Sequence, residues 1–287
     1  MKKWIAYMGA GAIALTLAGC GESAEPSEET DPNETSDLTL EELFAKTTAA
    51  SEEAKSFHMD MVTNQTMAMG PEMDMDMKMD VSMDMTVEPL AFYQKAQSTF
   101  VSEGMDDMPA METEMYYTAD GLFSYDPMMD MWVKLPADEM EDLEALMMME
   151  QQSGDLAGQL EQLEAFQDDF TFEQTGDEFV LTLDAAGEEY EKLITEEMGQ
   201  MLGELDVEAQ EIMDGMNINK IYYEIFIDKE TYQPNTINMT MDFDMEMEGE
   251  SVNIQSDMQA EYSNFNEIDE IIVPAEVIEN AEEMNSY

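Results

Sequence analysis

The chain offers few side chains that could carry out chemistry. Among its 287 residues there is one cysteine, Cys20, one histidine, His58, and no arginine. A Ser-His-Asp triad could use only His58, and no Gly-x-Ser-x-Gly turn that would expose a nucleophilic serine accompanies it. Glycine motifs that bind phosphates or dinucleotides are also missing. We therefore expect no enzyme and no cofactor.

Cys20 ends an N-terminal segment with the features of an export signal. Lys2 and Lys3 give it a positive start, and residues 4–17 are uncharged and largely apolar. This stretch is shorter than the roughly 20 apolar residues that span a bilayer, so it fits the apolar core of a signal peptide. Since Cys20 is the only cysteine, it has no partner for a disulfide within the chain.

The residues around the cysteine resemble the lipobox of bacterial lipoproteins. In Leu17-Ala18-Gly19-Cys20-Gly21, small residues precede the cysteine. The resemblance implies cleavage between Gly19 and Cys20 and a diacylglyceryl group on the cysteine sulfur. Two acyl chains anchor a protein stably, whereas one holds it marginally. We expect residues 1–19 to be a signal peptide, and lipidated Cys20 to hold the protein on the extracytoplasmic face of the cell membrane.

The mature chain is strongly acidic. Removal of residues 1–19 takes away two of the ten lysines and none of the 68 acidic residues, which leaves 8 − 68, a formal charge of −60. Such a surface repels phosphate backbones, so nucleic acid is excluded as a partner. Self-repulsion opposes compactness and salt screens it, which suggests that the protein works in saline or alkaline surroundings. Hydrophobic residues, at 44% of the sequence, argue against wholesale disorder.

The folded part is expected to begin after an acidic segment. Residues 20–37 include the anchoring cysteine, two prolines and many acidic side chains without apolar periodicity, so we predict a flexible tether. Thr39 and Glu42 then form a capping-box pattern, which predicts a helix over 40–55. No internal boundary is evident, and we predict one domain over 38–287.

After this helix the apolar period changes from 3.6 to 2, which is typical of half-buried strands. Turns are predicted at Gly70-Pro71, Asp120-Gly121 and 175–177. Two strands place most of the candidate functional residues on one face. These are Met75, Met77, Met79, Met83 and Met85 in one strand, and Met239, Met241, Phe243 and Met245 in the other.

The pattern predicts an α+β fold. Its centre is one strongly curved antiparallel sheet, an open half-barrel, with helices over the concave face. Covering helices are predicted over 137–167 and 185–202, and a short last helix is predicted to begin at Pro274.

Several phrases resemble those of the LolA-like and LppX-like lipoprotein superfamily, including Gram-positive members without an assigned activity. They are Ser56–Met59, Tyr117–Phe123, Met131–Leu135, Tyr223–Pro234 and Phe265–Pro274. The resemblance implies a half-barrel sheet closed by helices. Members with known roles bind lipids or lipoproteins between the two layers.

The thirty-three methionines permit three interpretations. They can fill a core, line an adaptable apolar cavity, or bind Cu(I) or Ag(I) through soft thioethers. His58 has the opposite strand parity from Met59 and Met61, so it should not join such thioethers, and we predict no metal site. Our hypothesis is a lipid or other apolar ligand held by the nine candidates, with Trp132 and Tyr223 as weaker ones. The alternative is a structural or interaction lipoprotein of the cell envelope with a filled core.

Overall fold

The computed structural model describes residues 23–26, 36–69, 73–102, 109–135, 169–185, 217–247 and 250–283. Over these residues the chain is mostly β, with two short helices, α1 (Leu40–Glu52) and α2 (Ala275–Asn280). The strands are β1 Glu25–Pro26, β2 Ser56–Met69, β3 Met73–Thr86, β4 Ala91–Ser102, β5 Met111–Thr118, β6 Gly121–Asp126, β7 Met131–Lys134, β8 Thr171–Gln174, β9 Glu178–Ala185, β10 Asn217–Asp228, β11 Pro234–Met247, β12 Glu250–Ser263 and β13 Glu282–Glu283.

All thirteen strands belong to one open, curled sheet, in the order β1-β8-β9-β10-β11-β12-β2-β3-β4-β5-β6-β7-β13. Every interior pair is antiparallel. At the two ends, β1 pairs in parallel with β8, and β13 pairs in parallel with β7. These two-residue strands cover edges that would otherwise present unpaired backbone groups.

Helix α1 begins where the capping box predicts. The Thr39 hydroxyl accepts a hydrogen bond from the Glu42 amide at 3.2 Å, and the Glu42 carboxylate accepts one from the Thr39 amide at 3.1 Å. These bonds satisfy two amides that a helix start leaves without partners. The predicted last helix is present as α2, and it begins at Ala275, one residue later than predicted, with Pro274 as its N-cap.

The main core lies under α1 at the β8–β10 end of the sheet. Leu43 and Phe44 of α1 pack with aliphatic residues of β9 and β10, and Leu181 and Ile225 are 0% exposed. Phe44 also meets Phe170 edge to face, with ring centroids 5.7 Å apart. A smaller cluster elsewhere joins Phe123, Val273 and Val277.

The predicted fold class is confirmed in part. The open, curled, largely antiparallel sheet is present, but the described chain is mostly β rather than α+β. The reason is that apolar alternation with period 2 runs through strands of up to 14 residues. The helices predicted over 137–167 and 185–202 lie outside the described residues, except that Ala185 ends β9.

The prediction of a free tether over 20–37 is wrong for its described N-terminal part. Ser23 forms a β-bridge with Thr39, and Glu25–Pro26 is β1. Ala24 is only 6% exposed and belongs to the main core. The edge of β8 accepts this segment because its backbone groups would otherwise lack a strand partner.

Candidate functional site: a methionine-rich sheet face

Cross-strand register brings all nine candidate residues to one face of the sheet. β11, β12, β2 and β3 are consecutive neighbours, and directly opposed residues share a face. We call the apolar side of these four strands the methionine face. It includes Met239, Met241, Phe243, Met245, Val252, Ile254, Ser256, Met258, Ala260, Met59, Met61, Thr63, Gln65, Met67, Met69, Met75, Met77, Met79, Val81, Met83 and Met85.

The methionine face is broad, and the register gives it one charged position, Glu250 at the start of β12, opposite Met247. From β11 to β3 it spans three strand intervals, about 14 Å. From Met75 to Met85 it extends about 33 Å along the strand. Interactions on this face therefore depend on apolar contact, supplemented by the side chains of Thr63, Gln65 and Ser256.

Burial differs between the two parts of this side of the sheet. Beneath α1, Leu181, Ile225 and Ile227 are 0% exposed, which is a closed aliphatic core. All nine candidates on the methionine face are instead half-buried. The methionine face thus combines half-buried methionines with four buried aliphatic residues, which are Val81, Val252, Ile254 and Ala260.

Short side chains occupy the middle of the methionine face. The register forms a row from Met241 through Ser256 and Gln65 to Met77. In the next row, Thr63 is the neighbour of Met79. Serine and threonine are shorter than methionine, so these two positions differ from the longer Gln65 and Met258 in the same rows.

The opposite face of β2 and β3 is polar. His58 lies there, with its Nδ1 2.7 Å from Asp84 and its Nε2 3.2 Å from Asp60. Partial burial lowers the pKa of the imidazole, but hydrogen bonds to Asp84 and Asp60 and their negative charges outweigh that effect, so the pKa is raised above 6.5. The prediction that His58 points away from Met59 and Met61 is confirmed.

The carboxylate partners of His58 were not predicted from the sequence. A signal was available, because pairing Met59 with Met83 in the β2–β3 hairpin necessarily sets His58 opposite Asp84. The polar face also contains a shallow open groove of about 480 Å³ over β2–β5. Within the described residues, no group of three or more His, Cys, Asp or Glu side chains is arranged to hold a metal ion.

Neutral amides satisfy several carboxylates on this polar face. Asn219 donates to Asp242 at 3.0 Å and to Asp244 at 2.9 Å, and Asn253 donates to both at 2.9 Å. Hydrogen bonds from Asn219 and Asn253 lower the pKa of Asp244. Side-chain amides can donate hydrogen bonds to carboxylates in place of lysines, of which this chain has few.

The two weaker candidates, Tyr223 and Trp132, lie on opposite sides of the sheet. Tyr223 lies directly opposite Met239 and continues the methionine face into β10. The inclusion of Trp132 is wrong, because it contacts Tyr116 at 5.7 Å and lies beside the Phe123 cluster. The register from Asp84 through Tyr93 to Tyr116 assigns this cluster to the polar side of the sheet.

A buried amide in β8 was also missed. Gln174 is 1% exposed and hydrogen-bonds to two N-terminal positions, Ala24 and Ser36. The sequence contains a signal for it, because Gln174 follows Phe170 and Phe172 at alternate positions and therefore points toward the core as they do. A polar group at a core position needs partners, and these came from a distant part of the chain.

Residues 39–282 match the model of DUF6612, described as a family of unknown function. This chain belongs to the DUF6612 family. No curated protein matches its sequence. Among the described residues of this DUF6612 protein, no helix is long and apolar enough to cross a membrane.

The DUF6612 chain is similar to several solved structures. LprF from Mycobacterium bovis is 12% identical, with 86% of this chain and 99% of that chain covered and a TM-score of 0.34. A LolA superfamily protein from Nitrosomonas europaea is 12% identical, with 79% and 92% covered and a TM-score of 0.18. A β-barrel-like DUF1849 protein from Brucella abortus is 11% identical, with 73% and 98% covered and a TM-score of 0.24. A LolA superfamily protein is thus among the structures similar to this DUF6612 chain. At these TM-scores the neighbours say nothing about its ligand.

Proposed function

We propose that this DUF6612 protein is a lipid-anchored, extracytoplasmic lipoprotein whose methionine face binds an apolar ligand, such as the acyl chain of a lipid. The observation that carries the proposal is the half-buried state of nine candidates on one predominantly apolar face, beside an aliphatic core that is fully closed. The protein acts by binding and not by catalysis.

Methionine suits such a surface. Its unbranched, polarizable side chain adapts to ligands of different shape. The bilayer core of roughly 30 Å contains two leaflets, so an extended acyl chain needs about 15 Å. The roughly 33 Å from Met75 to Met85 gives more than enough length for one chain.

We propose that a helical cover over the methionine face completes the binding site. The helices predicted over 137–167 and 185–202, nearly all of which lies outside the described residues, are the candidates for this cover. A cover excludes water from the ligand, which is the source of affinity for an apolar chain.

Anchoring through Cys20 completes the proposal. The supporting observations are the short apolar segment, the small residues before the cysteine and the absence of a second cysteine. Mass spectrometry of the N-terminal peptide should find a diacylglyceryl group on Cys20. The Cys20→Ser variant should appear in the soluble fraction.

A charge placed on the methionine face tests ligand binding. Met77→Glu puts a carboxylate against the ligand, where an unpaired charge is costly to bury. Lys78→Glu is the matched control, because Lys78 is the next residue and lies exposed on the opposite face. With a fluorescent fatty acid as probe, we expect Met77→Glu to weaken binding roughly tenfold or more, equivalent to about 1.4 kcal/mol. Equal affinities for the two variants would contradict the proposal.

A further inference from the structure

The segment just after the proposed anchor is attached to the folded domain. Ser23 forms a bridge with Thr39 at the start of α1. Glu25 and Pro26 pair in parallel with Glu173 and Gln174 of β8. Between these attachments Ala24 is buried, at 6% exposure.

Gln174 secures this attachment from inside the core. Its Nε2 donates to the Ala24 carbonyl at 3.0 Å and to the Ser36 carbonyl at 3.3 Å. Its Oε1 accepts a hydrogen bond from the Ser36 amide at 2.8 Å. We call Ser23–Pro26 and Gln174 the N-terminal clamp. A buried amide with several partners is costly to disrupt, so the clamp is part of the folded structure.

The clamp limits how far the domain can move from Cys20. Three peptide steps separate Cys20 from Ser23, and at most about 3.6 Å per residue gives a reach of about 11 Å. A free segment reaching Asp37 would have a typical end-to-end distance of roughly 23 Å and a maximum near 60 Å. The anchor is therefore held much closer to the domain than a flexible tether would hold it.

Strand direction indicates which end of the sheet lies near the anchor. From β8 through β9, β10, β11, β12 and β2 to β3, successive neighbours are antiparallel. The start of β8 therefore lies at the same end of the sheet as Met69, which ends β2. Because β1 runs parallel to β8, its upstream side, from which Cys20 comes, points toward that end.

We propose that the N-terminal clamp orients the domain on the bilayer, with the β8 edge and the Met69 end of the methionine face toward the lipid surface. This inference rests on lipidation of Cys20, which belongs to the proposed function. The partner of this surface is the membrane that holds the anchor. Orientation shortens the path of an apolar ligand between the bilayer and the methionine face.

The acidic surface opposes this close approach. With a reach of about 11 Å, part of the domain stays within roughly one and a half Debye lengths of the headgroups, since the Debye length is about 8 Å at 0.15 M ionic strength. A chain with 68 acidic residues is repelled by anionic lipids at that distance. A fixed link is therefore needed to hold a preferred orientation near the membrane.

Energy transfer from single labels tests the orientation. Lipid occupies the only native thiol, so an introduced cysteine can be labelled alone. Asp74→Cys marks an exposed site at the Met69 end, and Glu230→Cys marks an exposed site at the other end, about 35 Å away along the strands. The full lipidated protein is placed in phosphatidylcholine vesicles that contain an acceptor-labelled lipid. We expect at least roughly twofold more efficient transfer from residue 74 than from residue 230, given this separation.

A linker insertion separates the clamp from the anchor without altering the described contacts. About twelve Gly and Ser residues inserted between Gly21 and Glu22 should abolish the difference between the two labels. The same insertion between Glu28 and Glu29, on the other side of the clamp, is the matched control and should preserve it. The outcomes also separate the two proposals. Protein that does not float with the vesicles overturns the anchoring proposal and this inference with it. Protein that floats but shows equal transfer at both sites, or no effect of the first insertion, overturns the clamp alone.

Discussion

Met77 of β3 and Met241 of β11 lie in one row of the sheet, with Gln65 and Ser256 between them. Both methionines are half-buried, whereas β10, which pairs with β11, and β9 beyond it carry side chains that are completely buried. The nine candidate residues of this face are therefore more accessible than the closed aliphatic core, although Val252 and Ile254 beside them are buried. This change of burial along one continuous face is the basis of the predictions for ligand binding.

Enlarging Ser256 should distinguish an open site from a filled core. We expect Ser256→Phe to weaken fatty-acid binding roughly tenfold, about 1.4 kcal/mol, and to change the free energy of unfolding by less than about 1 kcal/mol. Overpacking a filled core would cost about 1–3 kcal/mol. Gln259→Phe, on the exposed opposite face of the same strand, is the control and should leave binding unchanged. Urea unfolding and probe titration of both variants make the comparison.

Oxidation by hydrogen peroxide should follow exposure and ligand occupancy. Met128 and Met129 are 88% and 65% exposed, so we expect them to form sulfoxides first, each gaining one oxygen while peroxide is reduced to water. Met77 and Met241 should react more slowly, and a bound fatty acid should slow them further. Peptide mass mapping with and without the ligand measures this. Equal protection of Met128 by the ligand would contradict binding at the methionine face.

Loss of the α1 cap should destabilise the fold modestly. Thr39→Ala removes the hydroxyl that accepts a hydrogen bond from the Glu42 amide. We expect the free energy of unfolding to fall by about 1 kcal/mol. Thr48→Ala in the interior of the same helix is the control, and it should cause no comparable loss because alanine favours helix. Chemical denaturation measures both. Equal effects of the two substitutions would rule out the capping contribution.

The single histidine provides a pH prediction. Because the pKa of His58 is raised above 6.5 in the folded state, its contribution to stability is complete below about 6.5 and is lost as the pH rises through the folded-state pKa. The one imidazole resonance in the NMR spectrum should titrate above 6.5. Asp84→Asn should move that midpoint down, since it removes a negative charge 2.7 Å away. A midpoint unchanged by Asp84→Asn would show that the pair does not form.

Salt should stabilise the protein. The 68 acidic residues of the mature chain face only eight lysines. The Debye length falls from about 10 Å at 0.1 M salt to about 3 Å at 1 M. We therefore expect the urea midpoint to rise with sodium chloride at neutral pH. The gain should shrink near pH 4, where many carboxyl groups are protonated. A midpoint independent of salt at neutral pH would contradict this prediction.

The alternation of methionine and aspartate was sufficient to predict the face of every candidate in β3 and β11. Strand side chains alternate strictly, so parity alone separates Met77 from Lys78, and the register confirms it. Helix α1 was equally accessible to prediction, because its cap is a local pattern of Thr39 and Glu42.

Contacts between residues that are distant in the sequence could not be predicted in this way. Gln174 meets Ala24 across 150 positions, and the two-residue strand β1 has no periodicity to reveal it. Trp132 was misassigned because β7 has only four residues, so its face depends on pairing with β6. In each case the position of the residue depends on which strand its segment pairs with. That pairing involves distant parts of the chain, so it cannot be predicted from the local sequence.

Ligand binding is tested most directly by native mass spectrometry of the protein without its lipid anchor. The protein is first stripped of lipid and then incubated with phosphatidylcholine vesicles. We predict an added mass of one lipid or fatty acid, which is lost in Met77→Glu and kept in Lys78→Glu. A spectrum that shows only the bare protein, both as purified and after incubation, would contradict an apolar-ligand function for the methionine face.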